Sequence, residues 1–201
     1  MPLIPRLYAI LDSSLHKDLL GSANALLAAG VTLLQYRNKS GDARQMLAHA
    51  RELKRLAGSS VKLIMNDRAD LCLATGFDGV HVGQNDLSPD AARKVIGDNL
   101  WLGVSTHNPD QVTEADITTA DYVAIGPVFA TTSKANPDPV IGLEGVRKAR
   151  ALTRKPLVAI GGITRANCRQ VIEAGADSVA VISHLSRDPR HSAEEFLRIL
   201  G

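Results

Sequence analysis

The sequence predicts a single α/β domain folded as a closed (β/α)8 barrel of the TIM type, on three observations. Apolar runs rich in β-branched residues recur roughly every 25 residues along the 201-residue chain. Each run is followed by a segment with helical apolar spacing. No Pro/Gly/Ser linker interrupts the repeat, so residues 1–201 read as one domain.

The apolar runs occupy residues 7–11, 31–36, 61–65, 79–82, 100–104, 122–125, 157–160 and 178–182. Continuous apolar strands of this kind belong to a parallel sheet buried on both faces. Between them, residues 18–29, 43–57, 69–75, 89–96, 109–117, 143–152, 165–174 and 193–200 carry alanine and leucine at i, i+3, i+4 spacing and predict helices. Gly30, Gly76 and Gly175 stand at helix-to-strand joints, where a left-handed helix end favours glycine. A doubly wound open sheet is the alternative architecture. The near-even unit length and the lack of a Gly-rich dinucleotide fingerprint after the first strand favour closure.

Composition narrows the function classes. Hydrophobic residues make up 45% and charged residues 22%, enough for a sizeable core, while aromatics at 3% make that core aliphatic. A formal charge of +2, with no basic run, argues against nucleic acid and leaves anionic small molecules open. Cys72 and Cys168 form no C-x-x-C pair, so neither zinc nor a disulfide framework is expected. No stretch approaches the roughly 20 apolar residues of a membrane span, and the amino terminus lacks a signal-like apolar region. A cytoplasmic protein without membrane or nucleic-acid partners is expected, as a monomer or small homo-oligomer.

In such a barrel the carboxyl ends of the strands face the active site. Strand 2 ends in Gln35-Tyr36-Arg37-Asn38-Lys39, whose alternation turns an amide and two cations to one side. An Arg fork and a Lys point charge form a clamp for a diphosphate, although a solvated loop has the same look. Strand 3 ends in Asn66-Asp67, and Asp86 follows strand 4. Two carboxylates on neighbouring strand ends suit Mg2+ shared with substrate phosphate oxygens. The competing assignment makes Asp67 a helix cap and Asp86 the start of the turn before Ser88-Pro89. His81, inside strand 4, reads as a packed, hydrogen-bonded histidine and not as a ligand.

Strand 5 leads into Ser105-Thr106-His107. Ser105 is placed to donate to a leaving oxygen, but residues two apart on a strand end need not meet, so a Ser105–His107 nucleophile–base pair is not expected. The longest irregular stretch, 126–142, reads as a lid or binding loop, with Thr131 and Ser133 for phosphate oxygens and Lys134 for charge. After strand 7, Gly161 and Gly162 let backbone N–H groups approach an anion. A short helix beginning near Ile182-Ser183 completes the phosphate position usual in these barrels.

In order along the chain, these motifs resemble the thiamine phosphate synthase family. The matching pieces are Arg6-Leu7-Tyr8-Ala9-Ile10, Gln35-x-Arg37-x-Lys39, Asn66-Asp67, Asp78-Gly79-Val80-His81-x-Gly83-Gln84-x-Asp86, Gly103-x-Ser105-x-His107, Gly126-Pro127-Val128-Phe129, Thr131-x-Ser133-Lys134 and Ala159-Ile160-Gly161-Gly162-Ile163. The resemblance implies condensation of a hydroxymethylpyrimidine diphosphate with a thiazole phosphate, releasing diphosphate. It assigns Gln35, Arg37, Lys39, Asn66 and Lys134 to the diphosphate, and Mg2+ to Asp67 and Asp86. It sets Ser105 near the pyrimidine, and gives Thr131, Ser133, Gly161 or Gly162 and the Ile182-Ser183 backbone to the thiazole phosphate. Ser133 stands where the family more commonly has threonine, but the hydroxyl is retained.

Three rivals remain. A thiazole tautomerase of the same superfamily needs no diphosphate clamp or metal. A phosphoribosyl isomerase needs a clear acid/base pair, and none stands out. A non-catalytic barrel could sense thiazole phosphate.

Overall fold

The computed structural model describes residues 3–131 and 138–201. Its strands are β1 (Leu7–Asp12), β2 (Leu33–Arg37), β3 (Lys62–Asn66), β4 (Gly79–Val82), β5 (Trp101–Thr106), β6 (Tyr122–Ile125), β7 (Leu157–Ile160) and β8 (Ser178–Val181). They alternate with helices α1 (Leu19–Ala28), α2 (Ala43–Ala57), α3 (Ala69–Thr75), α4 (Pro89–Ile96), α5 (Pro109–Asp116), α6 (Gly142–Leu152), α7 (Cys168–Glu173) and α8 (Pro189–Leu200). Each strand pairs in parallel with its neighbours in sequence, and β1 pairs with β8 through Leu7↔Val179 and Ala9↔Val181, closing the barrel. The open-sheet alternative is thereby excluded. Among the described residues no helix is long and apolar enough to cross a membrane.

Most element boundaries fall where the apolar period puts them, and the departures have local causes. The helix expected from residue 18 begins one residue later, at Leu19, because the Asp18 side chain caps α1 by accepting from the Gly21 N–H. The last helix begins four residues before the expected 193, with Asp188 as cap and Pro189 in the first turn. Helix α7 is shorter than expected. The Asn167 amide oxygen accepts from the Thr164 N–H, so residues 164–167 form a turn ahead of it. The short helix expected after β8 is present as a single turn of 3-10 helix, Ser183–Leu185.

Two apolar layers hold the fold. One lies between strands and helices, with Leu34, Leu63, Val80, Leu102, Val123 and Phe196 among its fully buried members. The other fills the barrel and includes Tyr8, Ile10, Leu33, Ile64, Tyr122 and Val158. Inside, Gly103 is a space requirement: a Cβ there would overlap the Tyr122 ring and His81 Nδ1. Its hydrogen atom lets those two groups, from β4 and β6 on either side, meet over β5.

At the amino ends of the strands one device recurs three times. Asp78, Asp121 and Asp177 each precede an even-numbered strand. Each accepts from the first N–H groups of the strand before it: Leu63 at 3.0 Å, Leu102 at 2.7 Å and Leu157 at 2.8 Å. Each also pairs with a cation from the helix two units back: Lys54 at 3.2 Å, Arg93 at 2.7 Å and Arg150 at 2.8 Å. The carboxylate thus staples a strand start to a helix end, far from the opposite mouth. Replacing Asp121 with Ala strips the Leu102 N–H and Arg93 of this partner. It should cost about 2 kcal/mol of unfolding free energy in urea titration while leaving turnover within about twofold of wild type.

Candidate active site

The carboxyl ends of β1 to β5 form a charged mouth over the apolar barrel interior. Inward alternation along β2 sends Gln35, Arg37 and then Lys39 up one side. Gln35 is buried, Arg37 is about one-quarter exposed and Lys39 about half exposed, so the ladder runs from core to solvent. The Arg37 guanidinium pairs with Asp12 at the end of β1. Burial pushes the Asp12 carboxyl up, but hydrogen bonds from Ser14 and the Arg37 charge outweigh it and hold the group below the usual carboxylate range. Asp12 is a residue that the sequence reading missed, although Tyr8, Ile10 and Asp12 follow the same inward alternation. A cavity of about 700 Å3 opens beside this pair, lined by Asp12, Ser14, His16, Arg37, Lys39 and His49.

Asn66 and Asp67 end β3. Asn66 is buried, and its Nδ2 is the one buried side-chain nitrogen without a hydrogen-bond partner among the described residues. A bare amide donor at such a place costs free energy unless an acceptor from a ligand meets it. Asp67 sits in the left-handed region at φ 62°, which aspartate tolerates better than most side chains. Its N–H donates to the His81 carbonyl at 2.8 Å, and its carboxylate accepts from Lys39 Nζ at 2.5 Å. The capping alternative for Asp67 does not hold: Arg68 caps α3, and it makes no side-chain cap bond.

Asp86 does close its own turn, accepting from the Gly83 N–H at 2.9 Å. That turn folds its carboxyl back onto Asp67. Burial, reinforced by the Asp86 carboxyl, pushes the Asp67 group up, and Lys39 only partly offsets this. A carboxylate pair raised in this way is stabilised by any cation placed between its members. A smaller cavity of about 340 Å3 has both carboxylates in its wall.

Ser105, on β5, meets a histidine, but not His107. The His107 Nδ1 lies 2.7 Å from the Gly126 carbonyl, tying β5 to the next strand end. The partner of Ser105 is His81, whose Nε2 lies 2.8 Å from the hydroxyl. His81 Nδ1 in turn lies 3.0 Å from the Tyr122 hydroxyl. As expected from the sequence, His81 is packed and hydrogen-bonded. Burial holds its imidazole down at about 4, so it is neutral at pH 7. Tyr8 and Tyr122, joined at 2.9 Å, were missed as site residues because aromatic positions within strands read as core.

The other side of the mouth is built from backbone. The loop after β6 is laced to the end of β7, with the Val128 N–H donating to Ile160 and the Phe129 N–H to Gly161. Gly161 and Gly162 adopt φ values of 100° and 62°, and a Cβ on Gly162 would stand 2.5 Å from the Ala130 carbonyl. Only glycine permits this approach, which brings Thr131, next in the chain, toward the paired glycines. The register Ile160↔Ala180 sets the Ile182-Ser183 backbone alongside. Ser133 and Lys134 lie outside the described residues.

Fold and site together define a (β/α)8-barrel enzyme with a charged, partly buried mouth at the carboxyl ends of its strands. The family profile described as "Thiamine monophosphate synthase" matches residues 7–185. A thiamine-phosphate synthase of Koribacter versatilis is 61% identical over 203 residues, covering 98% of this chain and 96% of that protein. One from Chloroflexus aurantiacus is 45% identical over 181 residues, covering 89% and 83%. The solved structure of thiamine phosphate pyrophosphorylase from Pyrococcus furiosus superposes with a TM-score of 0.88 at 35% identity, covering 97% of this chain and 95% of that one. The chain belongs to the thiamine monophosphate synthase family, a family of transferases in thiamine biosynthesis.

The neutral His81 makes stability depend on pH. The folded imidazole resists a proton until about pH 4, whereas the unfolded chain takes one up near 6.5. Between these values the unfolded state binds more protons, so stability falls as pH falls through the window and levels off below it. Comparing wild type with His81→Asn by urea unfolding at pH 7.5 and pH 4.5 should show the wild type losing more, by on the order of 3 kcal/mol. Equal losses would mean that His81 does not titrate this way.

Proposed function

We propose that the chain condenses 4-amino-2-methyl-5-hydroxymethylpyrimidine diphosphate with 4-methyl-5-(2-hydroxyethyl)thiazole phosphate to give thiamine phosphate and diphosphate. The observation that carries this reading is the convergence of Lys39, the Asp67–Asp86 carboxylate pair and the orphaned Asn66 Nδ2 on one strand-end cluster. A sensor or tautomerase for a simple phosphate has no need of paired carboxylates, which repel an anion. A diphosphate bound together with a divalent cation needs both signs of charge.

Asp67 and Asp86 fit Mg2+, since two carboxylates forced together and partly desolvated are relieved by a hard cation. When bound, Mg2+ would neutralise charge on the diphosphate. The chain's own groups do the rest. Gln35, Arg37, Lys39, Asn66 and Lys134 bind the diphosphate and offset the charge that builds as the C–O bond breaks. Both bonding electrons leave with diphosphate, and the pyrimidine methylene carbon becomes cationic. Ser105 donates a hydrogen bond beside the departing oxygen. Thr131, Ser133, Gly161, Gly162, Ile182 and Ser183 hold the thiazole phosphate, so that the ring nitrogen lone pair forms the new C–N bond. No protein nucleophile enters, and a pyrimidine–protein adduct trapped on the normal path would overturn this route.

Incubation with both substrates and Mg2+ should release one diphosphate per thiamine phosphate formed. Absence of release with fresh substrates would favour the tautomerase or sensor reading. Asp67→Asn, which keeps a residue tolerant of the left-handed backbone, should lower turnover by about 100-fold or more with the melting temperature preserved. Lys134→Ala should also depress turnover; wild-type kinetics would remove Lys134 from the site.

A further inference from the structure

We propose that Tyr8 and Tyr122 are positioning residues that set the tautomer of His81 and thereby aim the Ser105 hydroxyl hydrogen into the active site. This rests on the condensation reading for what Ser105 donates to, and adds how its direction is set.

A continuous hydrogen-bonded chain crosses the barrel interior from β2 to β5. Gln35 Nε2 donates to the Tyr8 hydroxyl at 2.8 Å, and the Tyr8 and Tyr122 hydroxyls lie 2.9 Å apart. Tyr122 meets His81 Nδ1 at 3.0 Å, and His81 Nε2 meets Ser105 Oγ at 2.8 Å. The direction of the chain follows from its first member, because an amide nitrogen only donates. Tyr8 therefore accepts from Gln35 and has one hydrogen left, for Tyr122. Tyr122 accepts it and has one hydrogen left, for His81 Nδ1.

Both tyrosines are buried and burial pushes their phenols up, so neither gives up its proton. A neutral imidazole whose Nδ1 accepts carries its single hydrogen on Nε2. That hydrogen goes to Ser105 Oγ. Ser105, half-buried at the strand end, then keeps its own hydrogen for a ligand oxygen.

Reversing every bond would make Ser105 donate to His81 and leave only an acceptor facing the mouth. It would also put a second hydrogen donor, Tyr8, against the Gln35 amide nitrogen. Gly103 shows that the arrangement is built into the fold, since any side chain there would part Tyr122 from His81. The rings reinforce it: Tyr122 stacks on His81 with centroids 5.5 Å apart and meets Tyr8 edge-on at 6.1 Å.

Two readouts test this. In 15N-histidine-labelled protein at pH 7, long-range 1H–15N correlation should show His81 as the Nε2–H tautomer, and Tyr122→Phe should shift its population toward Nδ1–H. An Nδ1–H tautomer in the wild type overturns the proposal. In kinetics, Tyr8→Phe and Tyr122→Phe should each lower kcat by about 10-fold with KM changed less than about threefold, and neither should add to the loss in a Ser105→Ala background. Folded variants with wild-type kcat, or losses that multiply with Ser105→Ala, overturn it. The nitrogen spectrum needs no turnover, so a chain that released no diphosphate would refute the condensation reading and still have its tautomer decided.

Discussion

Closure of the sheet between β1 and β8 is the constraint on which the rest depends. Once Leu7 and Ala9 pair with Val179 and Val181, every inward-facing side chain shares one interior with no solvent path at its centre. The volume must be filled, and any polar group within it must find a partner inside. Aliphatic groups such as Leu33, Ile64 and Val158 fill much of it. Among them the filling is polar: Tyr8, Tyr122, His81 and Gln35 satisfy one another in a single chain that reaches Ser105 near the carboxyl end of β5. The core of the barrel and the floor of the active site are therefore the same set of side chains.

The two mouths treat charge in opposite ways. At the amino ends, Asp78, Asp121 and Asp177 each accept from a backbone N–H and a nearby cation, so each carboxylate has partners of both kinds within the fold. At the carboxyl ends, Asp67 faces another carboxylate, Asn66 holds a donor without a partner among the described residues, and the backbone of Asp67 takes a left-handed conformation. These arrangements cost stability, and the rigid scaffold beneath them absorbs that cost. Asp12 adds a more settled element, because it orients the Arg37 fork from the neighbouring strand.

The opposite half of the mouth works through backbone shape. Gly161 and Gly162 let the loop after β6 lie against the end of β7, so Thr131 and the Ile182-Ser183 backbone come to one side. In the proposed reaction the charged half would take the diphosphate with its metal ion, and the backbone half the lone phosphate. The proposed condensation of two phosphorylated molecules would use both.

The sequence by itself determined the barrel, because strand and helix periods are local properties and eight of them in series leave few ways to bury every apolar run. It also marked Gln35, Arg37, Lys39, Asn66, Asp67, Asp86 and Ser105, since polar residues at the ends of apolar strands stand out against their surroundings. Only the tertiary structure decided which of these meet. Ser105 pairs with His81 from the adjacent strand and not with His107 two residues on, because His107 lies past the end of β5 and turns to the Gly126 carbonyl, while inward side chains of neighbouring strands lie side by side. Tyr8 and Tyr122, 114 residues apart, look like core in the sequence. Their hydroxyls became part of the site when closure brought β1 and β6 across one axis, a contact that no local pattern encodes.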